Sequence, residues 1–291
     1  MEKEQKGYLE LILYSLFAGV VGVFVKLVKH LDVYSVIFFR AFIASVFIFL
    51  VIFFRKQIKE LSITSPFKTL MIGIFQGLSI FLYFKSILTT SISNAVFLLY
   101  TAPIFSVILA KLFLKEKIEK ETLIVIFITL LGVAFILDPR KFAFSSKETL
   151  GNIMGLASGF FYSAMALTAK PLMKKVSRYN IVFWQYLVVS IIFVFFLKID
   201  SGGAIIENWW QLLTIGILCT GIAFILFMGG VGKVKAQKIF IITALEPLAG
   251  TVFAIILLKE VPQPMTLVGA ILILYGVYKI TAKKKVVSSF Y

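Results

Sequence analysis

The chain has 291 residues and a formal net charge of +16; 60% of its residues are hydrophobic and only 15% charged, and its mean hydropathy is +1.00. A soluble domain holds about 45–50% apolar and about 25% charged residues, so this composition excludes an ordinary soluble fold and points to a bundle of membrane helices. The positive charge would suit nucleic acid, but the basic residues stand in short clusters between apolar runs, where membrane topology puts them, so nucleic acid is rejected as a partner.

Ten apolar segments follow in order: 8–28, 34–54, 69–87, 94–114, 121–138, 151–170, 180–198, 209–230, 237–258 and 265–282. Each is roughly twenty residues long, enough to cross a hydrocarbon core of about 30 Å as a helix. Lipid offers the backbone no hydrogen-bond partner, and the alternating pattern of a membrane barrel is absent, so the runs are expected to be helices. The first run is of full helix length, which argues against a cleaved signal peptide.

Basic residues set the orientation. With the N-terminus in the cytoplasm, 21 of the 30 Lys and Arg fall on the cytoplasmic side, among them Lys170, Lys233, Lys235, Lys238, Lys283, Lys284 and Lys285. Eight fall on the other side, including Lys26, Lys147 and Lys259, and Arg40 stands inside the second segment. That bias predicts both termini in the cytoplasm of a plasma-membrane protein.

The chain repeats itself at a constant offset of about 144 positions. Gly7 falls on Gly151, Lys26 on Lys170, Phe39 on Phe183, Gly77 on Gly221, Pro103 on Pro247, Lys115 on Lys259, Glu116 on Glu260, Thr122 on Thr266 and Gly132 on Gly276. Segments 1–5 thus correspond to segments 6–10. Five is odd, so the second copy enters the membrane from the opposite side: Glu116 ends the fourth helix in the cytoplasm, Glu260 the ninth outside. The expected architecture is an all-α integral membrane protein, ten transmembrane helices in two inverted five-helix repeats around a central cavity. The first repeat spans 1–138, a polar linker 139–150, and the second repeat 151–291.

These motifs resemble a known family. The stretches SLFAGVVGVFVK (15–26), FFRAFIASVF (38–47), LLYTAPIFSVILAKLFLKEKI (98–118) with LLGVAFIL (130–137), and LEPLAGTVFAIILLKE (245–260) with LVGAILILYGV (267–277) are similar to EamA-type members of the drug/metabolite transporter superfamily. The resemblance implies a secondary transporter of small metabolites, with export of amino acids or related compounds as the first expectation. It also shows a departure. The family often carries Glu-Pro in both halves, whereas here Glu246-Pro247 of the second half faces Ala102-Pro103 of the first.

Glu246, ten positions into the ninth segment, is the sharpest single residue. A carboxylate at mid-membrane costs about 2.5–3.5 kcal/mol on insertion scales and usually faces a cavity or a partner. Two readings stand: a proton-coupling or substrate-amine site, or a bundle lock paired with Arg40 or Lys170. Arg40 is either an attractor for a substrate carboxylate or an anchor that reaches the interface. Pro103 and Pro247 each remove a backbone N–H and are expected to kink their helices. Gln76, Ser79, Tyr83, Tyr100, Tyr162, Trp184, Gln185 and Thr243 lie at mid-membrane depth, and a cavity built from them would suit small amphipathic solutes. Trp184 has a second reading as an interfacial belt residue. Ser15, Gly19, Gly22 and Lys26 on the first helix, and Gly151, Gly155, Gly159 and Ser163 on the sixth, form small-residue faces for tight packing or for sliding between the halves.

No HExxH, no Cys/His metal set, no phosphate-binding Gly-Lys-Ser/Thr loop and no intramembrane catalytic set occurs, so neither an enzyme nor a cofactor is predicted. Transport would draw on an ion gradient, protons included, or on the substrate gradient. The alternatives are a sugar-phosphate or nucleotide-sugar exchanger, a membrane-embedded enzyme, and a non-transporting scaffold.

Overall fold

The structure, a computed structural model, describes residues 2–142, 148–198, 202–259 and 261–282. Lys147, Glu260, Lys283, Lys284 and Lys285 lie outside the described residues, as does the middle of the 139–150 linker. Among the described residues the chain is helical; eight of its helices are long and apolar enough to cross a membrane, and two shorter ones of 17 residues each, Lys120–Ile136 and Arg178–Val194, complete the ten segments. They are α1 and α2 (Glu2–Gly19, Val21–Leu27), α3 (Val33–Phe54), α4 (Pro66–Thr89), α5 and α6 (Ile92–Leu99, Ala102–Leu114) and α7 (Lys120–Ile136) in the first half. In the second half they are α8 (Thr149–Leu172), α9 (Arg178–Val194), α11 and α12 (Trp209–Gly216, Ala223–Val231), α13 and α14 (Ala236–Thr243, Leu245–Leu258) and α15 (Pro264–Thr281), with the short α10 (Gly202–Glu207) preceding α11.

Three of the ten segments are broken rather than continuous, and a fourth is distorted. The segments containing Pro103 and Pro247 break at matching points, after Leu99 and after Thr243. Each proline then sits in the first turn of the helix that follows, where its missing N–H costs little. Both of these helices end on a left-handed lysine, Lys115 with φ 54° and Lys259 with φ 55°. The first segment breaks at Val20 between α1 and α2. Between α11 and α12 the chain takes a π turn, Ile217–Ile222, a distortion that often marks functional positions.

The packing repeats with the sequence. The crossing of α1 on α12 is matched by that of α8 on α4; α1 on α14 is matched by α8 on α5 and α6; α3 meets α9, and α7 meets α15. The small residues show how close the match runs. A Cβ on Gly7 would lie 2.7 Å from Val234, while one on Gly151 would lie 2.6 Å from Thr89 and 3.0 Å from Thr90, and Thr90 is the first-half counterpart of Val234. At the next equivalent crossing, a Cβ on Gly19 would lie 2.7 Å from the Glu246 carbonyl oxygen. Its counterpart Ser163 donates its hydroxyl to the carbonyl of Ala102 at 2.7 Å. The small faces of α1 and α8 are therefore the tight seams of the bundle. Gly22 is the exception, with no atom within 4 Å of an added Cβ.

Gly151→Val should lower stability by about 1–3 kcal/mol, because the added atoms meet the Thr89 backbone, which cannot rotate away. Gly22→Ala, placed in open space, should leave stability unchanged. Thermal unfolding of the two purified variants in detergent checks both, and equal melting temperatures would contradict the seam.

Candidate functional site

A cavity of about 310 Å³ opens between the halves. Its walls come from α1, α2, α3, α4 and the α5–α6 break of the first half, and from α8, the π turn, α12 and α14 of the second. The lining runs up to Val25, Ile87 and Val96, near the loops at the end of the bundle away from the N-terminus.

Glu246 reaches the cavity because the break at Ala244 places it in the first turn of α14, beside Gly19. The Tyr14 hydroxyl stands 3.4 Å from its Oε2, and Tyr100 approaches the same carboxylate. The Tyr14 and Tyr162 hydroxyls lie 2.6 Å apart. Arg40 faces the same space. Its Nε donates to Thr220 Oγ1 at 3.2 Å, and the Thr220 hydroxyl donates in turn to the Ile215 carbonyl at 2.8 Å, across the π turn. Gly216 and Gly221 allow that turn to lie against α3: a Cβ on either would come within 2.9 Å of Ile43 or Phe47.

Of the residues singled out from the sequence, Gln76, Ser79, Tyr83, Tyr100, Tyr162, Arg40 and Glu246 line this one cavity. Gln185 lies one layer behind, fully buried, its Nε2 donating to Gln76 Oε1 at 3.2 Å. Trp184 is elsewhere. It sits less than two turns into α9, and its indole N–H donates to the Leu61 carbonyl at 3.1 Å, at the end of the bundle that carries the N-terminus. Thr243 ends α13, buried, its hydroxyl 3.5 Å from the Phe240 carbonyl rather than in the cavity. Lys170 is not a partner of Glu246. Its ammonium donates to the carbonyls of Val231, at 3.1 Å, and Val234, at the C-terminal end of α12, where a cation suits the helix dipole. Lys26 is exposed near the end of α2.

Tyr14 was not among the residues the sequence singled out. The signal was there one step away from the small-residue face of the first segment: Tyr14, Ala18, Val21 and Val25 recur at helical spacing and all line the cavity.

The opposite end is closed in two layers. Tyr14, Phe224, Phe227, Tyr162 and Phe240 pack ring against ring, with Tyr14 4.9 Å from Phe227 and Tyr162 4.9 Å from Phe240. Beyond them the halves are joined by charge. Glu10 of α1 holds Arg178 of α9 at 2.9 Å and Lys233 at 2.5 Å, all three side chains less than a third exposed. Glu116 accepts the Ala236 N–H at 3.1 and 3.2 Å, so a carboxylate from the first half covers the N-terminus of α13. Glu119 pairs with Lys235 at 2.5 Å, and that hydrogen bond raises the pKa of the lysine.

Comparison with known proteins extends this geometry. The chain is 29% identical over 273 residues to an uncharacterized transporter of Archaeoglobus fulgidus, covering 93% of this chain and 94% of the relative. It is 25% identical over 289 residues to the pseudopaline exporter CntI of Pseudomonas aeruginosa, covering 97% and 98%. A crystal structure of another protein superposes with a TM-score of 0.81 at 15% identity, over 94% of this chain and 95% of that one, a likeness of fold alone. The model of the EamA-like transporter family matches twice, over residues 5–138 and 149–282. These two matches correspond to the two inverted halves around the cavity, and the protein belongs to the EamA-like transporter family.

Proposed function

We propose that this integral membrane transporter exports small amphipathic metabolites, amino acids or related compounds first among them, by alternating access between its two halves, with protons as the coupling ion. The observation that carries the reading is the cavity: it lies between inverted halves, is walled by tyrosines and apolar side chains, and holds one carboxylate. The end lined by Val25, Ile87 and Val96 faces outward in this reading, which takes the N-terminal end, where the basic clusters gather, as the cytoplasmic side of a plasma-membrane protein. The relative named for pseudopaline export supports the outward direction. A sugar-phosphate substrate fits less well, since Arg40 is the one cationic side chain among the cavity-lining residues.

Glu246 would couple the two fluxes by binding either a proton or a cationic group of the substrate. The ionisable groups around it are Tyr14 on α1, Arg40 on α3, Tyr83 on α4, Tyr100 at the α5–α6 break, Tyr162 on α8 and Cys219 on the π turn. None is a carboxylate that could replace it. In liposomes, counterflow by the wild type should respond to an imposed pH gradient, and Glu246→Gln, present at wild-type level, should lose that response. A variant whose pH dependence is unchanged would refute proton coupling at this residue.

Alternating access requires the ionic layer to open. Glu10→Gln removes the charge that holds Arg178 and Lys233 and should shift the balance away from the outward-open form by about fivefold, the effect of ~1 kcal/mol between two states. A cysteine at Gly22 in a Cys219→Ser background reads this out. Its labelling by an impermeant maleimide from outside should slow when Glu10→Gln is added, and an unaltered rate would mean that Glu10 does not hold the gate.

A further inference from the structure

Arg40 and Glu246 are opposite charges in one cavity that do not touch. Their charged groups form no ion pair, so more than 4.0 Å separates guanidinium from carboxylate. Two such charges in a site walled mostly by apolar side chains attract strongly, and a flexible Arg and Glu free to meet would do so. Each is instead held back by its own anchor. The π turn presents Thr220 to Arg40 Nε, and among the described residues neither terminal nitrogen of the guanidinium has a hydrogen-bond partner. Tyr14 and Tyr100 hold Glu246 on the other side. The Tyr186 hydroxyl, fully buried behind Phe224, also lacks a hydrogen-bond partner among the described residues.

We infer that Arg40 and Glu246 form a dipolar clamp selective for zwitterions: a substrate carboxylate or similar anion takes the free fork of Arg40, and its ammonium takes Glu246. The inference rests on the transport reading above and narrows its substrate class. A fixed gap between opposite charges favours a molecule that carries both, since such a molecule neutralises each end without an uncompensated charge in a low-dielectric site. A monoanion of the same skeleton leaves Glu246 facing an apolar tail, and a monocation does the same to Arg40. The clamp therefore discriminates by what a wrong ligand leaves unpaired. The remaining lining, Ile80, Phe84, Leu99 and Phe224, would accept an apolar side chain.

The test uses the purified full chain and three matched sets: L-leucine, L-phenylalanine and L-glutamine, each with its decarboxylated amine and its deaminated acid. Binding is followed by thermal shift and titration calorimetry, with no transport involved. At least one amino acid should bind about tenfold or more tightly than both of its singly charged analogues. Arg40→Gln should erase the preference over the amine and keep that over the acid, and Glu246→Gln should do the reverse. Should a variant not fold, the wild-type comparison decides by itself. If every amino acid that binds is matched by one of its analogues, or if none of the three amino acids binds, the clamp is overturned. Counterflow of leucine, phenylalanine or glutamine without charge selectivity would overturn the clamp and leave the transport reading standing. Absence of any flux across a broad solute panel would remove the transport reading itself.

Discussion

A carboxylate in the middle of a membrane must be kept from lipid, and the structure around Glu246 follows from that requirement. An unbroken helix would leave the residue no spare backbone and little freedom of approach. The break after Thr243 restarts the helix at Leu245 and sets Glu246 in its first turn, where a negative charge also gains from the helix dipole. Gly19 then brings α1 close enough for Tyr14 to reach the carboxylate. Tyr14 is in turn fixed by Tyr162 and by the phenylalanines beneath it. The chain of support runs from one helix break to the aromatic floor of the cavity, and it joins both halves.

The same break in the first half carries no charge. Ala102 takes the position of Glu246, and its carbonyl receives the Ser163 hydroxyl where the equivalent crossing has only Gly19. The scaffold is thus duplicated while the chemistry is not. Two carboxylates facing each other across one cavity would repel, and each would need its own cation. With one, the site has a single acid and a single Arg on different halves. Proline and terminal lysine are kept in both copies because they shape the backbone, the proline opening each helix and the left-handed lysine closing it.

Much of this was legible in the sequence, and the exceptions have physical reasons. The offset of 144 positions predicted the pairing of halves, and the crossings of α1 and α8 reproduce it residue for residue at Gly7 and Gly151. Seven of the polar, charged and aromatic residues singled out meet in one cavity because depth in the membrane can be counted along a helix. Which face a residue takes cannot be counted so easily. Thr243 and Trp184 lie on turned faces set by a helix break and by a nearby loop carbonyl, and neither leaves a local pattern. The kinks expected at Pro103 and Pro247 are full breaks placed three or four residues earlier, since a proline disturbs the turn before it. The π turn that holds Arg40 left no mark in the apolar run ILCTGI, and without it Arg40 read more readily as an interfacial anchor than as a cavity residue.

The position of the two charges bears on how binding could drive movement. Arg40 belongs to the first half and Glu246 to the second, and their separation is a property of the arrangement in which the ionic layer at the other end is closed. A ligand shifts a conformational balance only through a difference in affinity for the two states. Under the proposed clamp, a zwitterion bridging the gap would pull both halves toward it, and its pull would grow as the gap narrows. A singly charged ligand binds one half only and makes no such distinction. In the proposed alternating access, closing the cavity over a zwitterion would work against the contacts of Glu10 with Arg178 and Lys233. One arginine and one glutamate held apart would thus select the substrate and couple its binding to the opening of the opposite end, which two charges already in contact could not do.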